Sequence, residues 1–111
     1  MDQSVLKLMD WLTAQAGETI VIEKQELNDL DTVHFNLETV DYRNADDVID
    51  EYLDSALILR GTGNTSNRDG ELVPLPQQSY EIAVSGLQLG NIDDNQVELR
   101  TERAKYSLST S

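Results

Sequence analysis

The sequence predicts an α+β fold: a curved, mainly antiparallel sheet of about six strands with two helices, in the order α-β-β-α-β-β-β-β. Three observations carry this prediction. The first sixteen residues repeat apolar side chains at helical spacing. Two β-branched runs, Thr19 to Gln25 and Thr32 to Tyr42, alternate with period two. The last third, Ser79 to Ser109, sets two alternating apolar arms around Gly90-Asn91-Ile92-Asp93-Asp94-Asn95, residue types that reverse a chain.

Asp2 to Ala16 has Val5, Leu8, Met9, Leu12 and Ala16 on one stripe, with Trp11 at its flank and Gly17 placed to close the helix. Leu6 points off that stripe and predicts burial on a second side. In Thr19 to Gln25, Ile20 and Ile22 share a face. The connection Glu26 to Asp31 is polar except for Leu27 and Leu30, which the pattern turns back into the core. Thr32 to Tyr42 places Val33, Phe35 and Leu37 inward and His34, Asn36 and Glu38 outward. Val40 and Tyr42 fall on the opposite phase, so this strand bends late.

Asn44 is placed to cap a second helix over residues 45–54, with Asp47 three residues on as a capping-box partner. Its outer face is Asp46, Asp47, Asp50, Glu51 and Asp54, repeating at about one 5.4 Å helical turn. Ala56 to Arg60 suits either a continuation of the helix or a strand. The Gly, Asn, Ser and Asp of Thr62 to Gly70 favour a strand joined by a loop to Glu71–Leu75, which Pro74 and Pro76 confine to an edge or irregular crossover. In the final hairpin, one arm is Tyr80, Ile82, Val84, Leu87 and Leu89. The other is Val97, Leu99, Ala104, Tyr106 and Leu108. Each slips phase once, at Ser85-Gly86 and near Glu102-Arg103, and each slip predicts a β-bulge. Residues 1–108 form one domain on this reading, with 109–111 a disordered tail.

Charge bounds the function. The net charge is −13, and residues 1–54 hold fourteen Asp or Glu against three Lys or Arg. Such a surface disfavours nucleic-acid phosphate and anionic membranes as ligands, since both need clustered cations. The chain has no cysteine, no apolar run of membrane length, and an N-terminus with Asp2 and Asp10 inside its apolar pattern. A cytoplasmic location is the expectation.

No catalytic or cofactor motif stands out. His34 is the single imidazole and lies on the outward phase of a strand, and there is no nucleophile elbow to serve it. Asn67-Arg68-Asp69-Gly70 resembles the middle of a calcium loop but puts Pro76 where the bidentate Glu belongs. Gly61-Thr62-Gly63 lacks the third glycine of a dinucleotide fingerprint. Two clusters remain: the acidic helix face, and Arg100, Arg103 and Lys105 near the C-terminus, placed to neutralise acids on neighbouring strands or, as an alternative, to hold a small anion. The chain thus reads as a non-catalytic protein-interaction module without cofactor or metal. Its partner would be a protein with a basic surface, or a second copy of the chain, engaged by Asp46, Asp47, Asp50, Glu51 and Asp54. The alternatives are an acidic nucleic-acid mimic that inhibits a DNA-binding protein, and a hydrolase or small-ligand binder using surface carboxylates.

Overall fold

The computed structural model describes residues 3–44, 55–66, 71–75 and 77–110. Its elements are α1 (Gln3–Ala14), β1 (Thr19–Glu26), β2 (Asp29–Arg43), β3 (Ala56–Ser66), β4 (Leu72–Pro74), β5 (Ser79–Ala83), β6 (Gln88–Ile92), β7 (Gln96–Arg100) and β8 (Lys105–Thr110). The strands form one sheet in the order β4-β3-β2-β1-β8-β7-β6, with β5 lying beside β4 on the same edge of β3. Each strand pairing in it is antiparallel.

The sheet has eight strands where the apolar pattern predicts six, because each arm of the C-terminal hairpin is two strands. The phase slips are corners. At the first, Val84 to Leu87 closes a turn by a 3.1 Å bond from Leu87 N–H to Val84 C=O, and Gly86 carries φ 71. At the second, Thr101 N–H donates to Ala104 C=O at 2.9 Å, and the Thr101 hydroxyl oxygen accepts from Arg103 and Ala104 N–H. A tight turn and a bulge both shift a period-two pattern by one residue, so alternation alone does not separate them. Only the turn between β6 and β7, at Asp93–Asn95, is the reversal the sequence points to. A bulge does occur on the β6 arm, between Leu89 and Ile92.

Topology forces the sheet to curl. β5 and β6 lie at opposite edges, about 29 Å apart if seven strand positions were flat at roughly 4.8 Å spacing. Yet Ala83 and Gln88 are five residues apart, a reach of at most about 18 Å. The edges therefore approach each other, and the two corners touch: Glu102 N–H donates to Ser85 C=O at 3.1 Å.

Inside the curl lies one apolar cluster. Ile20, Ile22, Phe35, Leu57, Leu59, Ile82, Val97 and Leu108 are fully buried, with Val33 and Leu37 nearly so. β2 keeps the predicted inward set, then changes phase at a bulge between Leu37 and Thr39. Opposite that bulge is Gly61 at φ 153, where an added Cβ would collide with the Asn36 carbonyl oxygen. Ala56 to Arg60 is strand, and β3 runs on through Ser66, which takes the first five residues of the predicted loop. β4 is a three-residue edge strand, as its proline requires.

α1 is too short to be stable in isolation, so burial fixes it. Leu8 and Leu12 are fully buried, each worth roughly 1.5–3 kcal/mol, with Val5 and Trp11 beside them. The helix ends at Ala14, and Gly17 follows at φ 89. Leu6 is 48% exposed, so no second face is buried: the curled sheet offers α1 one apolar surface only. Two further differences concern the connections and the end. Leu27 and Leu30 point into solvent, because β1 and β2 extend to Glu26 and Asp29 and leave a two-residue turn with no slack to fold inward. β8 continues past Leu108 to Thr110, whose N–H donates to Asn95 C=O at 2.9 Å. The predicted helix over 45–54 lies outside the described residues. Among the described residues, no helix is long and apolar enough to cross a membrane.

Candidate functional site

The acidic set Asp46, Asp47, Asp50, Glu51 and Asp54 lies outside the described residues. What is described is the frame that carries it: Arg43 and Ala56 are register partners, and Val84 N–H donates to Ser55 C=O at 3.0 Å. The segment thus leaves and re-enters the sheet at one place. On the outer face beside it run two exposed ion pairs, Arg43–Glu81 and Arg60–Asp41, both at 2.6 Å. Pairs of this kind contribute little to stability. His34 sits half-buried on β2 between Val21 and Asn64, outside the core set. Among the described residues, no three His, Asp or Glu side chains gather as metal ligands would.

The first site that the structure does assemble is the β1–β2 tip. Glu26 and Asp29 are the last register pair, so Leu27 and Asn28 alone make the turn. Leu27 adopts φ 55, and no other non-glycine described residue has positive φ. Positive φ at the first turn position alone is the type II′ sign pattern that glycine normally fills. A leucine there costs on the order of 1–2 kcal/mol. Its side chain is 92% exposed, so packing returns nothing. Around it stand Glu26, Asp29 and Asp31, with Lys24 Nζ 3.7 Å from Glu26 Oε2. The tip is an apolar knob on an acidic stalk. Nothing in the sequence marks it, because Leu-Asn is not a turn pair that composition flags.

The second site is a groove of about 350 Å³ across the outer face of β6, β7, β8 and β1. Register builds it as two rows. Gln88, Arg100, Lys105 and Gln25 are successive cross-strand partners, and Leu30 on β2 ends the row. Glu98, Ser107 and Glu23 are partners in the next row, about 6.8 Å along the strands. Arg100 and Lys105 therefore face each other directly, whereas Arg103 is held in the corner beyond them. The sequence groups all three cations; the structure places two in the groove. Among the described residues, neither Arg100 nor Lys105 has a carboxylate within 4.0 Å, contrary to the neutralising role that composition predicts. The guanidinium of Arg100 instead donates to Gln88 Oε1 at 3.3 Å.

On the inner face of the sheet, burial pushes the pKa of the Tyr80 phenol on β5 and of the Tyr106 phenol on β8 above the ordinary value; Tyr106 and Asp31 add to the rise at Tyr80, while Glu26 adds to that at Tyr106 and Arg103 opposes it. Lys24 Nζ lies 5.9 Å from the centre of the Tyr106 ring. Both phenols stay neutral across the physiological range.

The family described as YmzB-like protein matches residues 1–111. A relative from Bacillus subtilis (strain 168), described as "Uncharacterized protein YmzB", is 32% identical over 108 residues, which covers 92% of this chain and 91% of the relative. No solved structure matches the chain.

Proposed function

The chain belongs to the YmzB-like protein family, and from its geometry we propose that it is a non-catalytic protein-interaction module that presents the β1–β2 tip to a protein partner. The observation that supports this reading is Leu27: an apolar side chain 92% exposed at φ 55. Scattered exposed leucines are ordinary on protein surfaces. A leucine held in a strained backbone conformation while giving no packing is not, since Gly or Asn would make the same turn at lower free energy. The complementary surface is an apolar pocket with a basic rim, matching the knob and the carboxylates of Glu26, Asp29 and Asp31. The acidic residues 46, 47, 50, 51 and 54 would extend the same complementarity to a second contact.

The test uses the full chain and its Leu27→Asn variant as bait against a soluble extract. Asn accepts positive φ, so the variant keeps the turn and loses only the knob. A protein retained by the native chain and lost from Leu27→Asn supports the reading, provided a partner surface with a basic-rimmed apolar pocket is then found. Equal retention by both baits overturns the role of the tip. Asp47→Lys with Asp50→Lys tests the second contact in the same way. Displacement of the partner by duplex DNA would instead favour the nucleic-acid mimic.

A further inference from the structure

We propose that the outer groove binds a small organic monocarboxylate, its charged head between Arg100 and Lys105 and its apolar body toward Leu30. Three observations carry this. Arg100 and Lys105 are direct cross-strand partners on β7 and β8, and like charges in that relation repel. The chain has 21 acids and eight Lys or Arg, yet no acid among the described residues lies within 4.0 Å of either cation. The bases flank one another while Gln88 and Gln25, neutral side chains with amide donors, close the row on both sides. An anion held between the cations removes the repulsion and gains charge-assisted hydrogen bonds from both.

The shape and charge of the groove select the ligand class. A volume of about 350 Å³ falls at the lower end of small-molecule sites. Leu30 lines its β2 end and is 65% exposed, which gives an apolar body a surface to cover. Glu98 and Glu23 stand one row away and offset the two cations. They repel phosphate dianions and polyanions more strongly than a monoanion whose single charge sits between the two cations. Gly90 faces Glu98 without a side chain, which keeps that end of the groove open. This site is independent of the β1–β2 tip, since Leu27 is not among its lining residues.

The experiment is a titration of the full isotope-labelled chain with hexanoate, followed by backbone and Arg side-chain NMR shifts, with acetate and inorganic phosphate as comparison probes. The expected result is a saturable shift confined to residues 23–25, 30, 88–90, 98–100 and 105–107, tighter for hexanoate than for acetate or phosphate. Arg100→Gln and Lys105→Gln should each weaken hexanoate about tenfold, the loss of one hydrogen bond to a charged group. Lys7→Gln removes the same charge from the exposed face of α1 and should change affinity by less than about twofold, because Lys7 does not line the groove. Arg100→Lys keeps the charge and provides a second, more conservative variant. Absence of a saturable shift overturns the proposal. So does an equal loss in Lys7→Gln, which would make the effect one of net charge. Phosphate binding as tightly as hexanoate overturns the ligand class.

Discussion

The β1–β2 and β6–β7 turns close hairpins of the same sheet and are built in opposite ways. At the β6–β7 turn, Asp93 Oδ1 accepts from Asn95 N–H at 2.8 Å and Gln96 N–H at 2.9 Å. Asp93 C=O accepts from the indole N–H of Trp11 at 2.8 Å, and Asn95 C=O from the last strand. The helix, the turn and the chain end are tied at one point. The β1–β2 turn has a residue at positive φ, a side chain in solvent and, among the described residues, no comparable ties. Polar turn chemistry in the first case satisfies local N–H groups and anchors α1, so its residues are accounted for by stability. In the second case stability explains nothing, and the residue there is a candidate for selection by a partner.

Four substitutions would break or sharpen that contrast. Trp11→Ala removes both the buried ring and the bond to Asp93, and should cost about 3–5 kcal/mol in denaturant unfolding. A loss under about 1 kcal/mol would mean that α1 is not anchored through the β6–β7 turn. Gly86→Val asks whether the corner that brings the two sheet edges together is as demanding as the anchored turn. A β-branched residue at φ 71 is disfavoured, and an added Cβ would lie 2.6 Å from Glu102 Cγ. The expected cost is about 1–3 kcal/mol, and a neutral outcome would show the corner to be adaptable.

Asp93→Ala deletes two side-chain bonds to backbone N–H while keeping the fold around them. The thermal midpoint should fall by an amount equivalent to about 1–2 kcal/mol, in the range of a lost cap. The smallest effect belongs to Leu27→Asn, which should leave stability unchanged or raise it by up to about 1 kcal/mol as strain is relieved. If Leu27→Asn instead destabilises the protein as much as Asp93→Ala does, the two turns are alike and the exposed leucine is structural.

Much of this arrangement is legible from residue order alone. Helical spacing of Val5, Leu8 and Leu12, and period-two spacing of Val33, Phe35 and Leu37, identify the core set, because burial acts on side chains whose facing is fixed by local geometry. The same holds for Gly17 and Gly86 as positive-φ positions, and for Pro74 at an edge. Three features were decided only in three dimensions. A one-residue phase slip is compatible with bulge or corner, and the choice follows from which strand offers a partner: β5 finds β3, far back in the chain, rather than its neighbour. The exposure of Leu27 and Leu30 depends on how far β1 and β2 stay paired, which is set by the register of the whole ladder. Arg100 is two residues from both Glu98 and Glu102, and Lys105 is three from Glu102, yet strand pairing puts the two cations opposite each other, because cross-strand neighbours are fixed by register and not by sequence distance. Local chemistry determined the elements, their facing and the glycines; the long-range pairing that curls the sheet determined which surfaces those elements leave for a partner or a ligand.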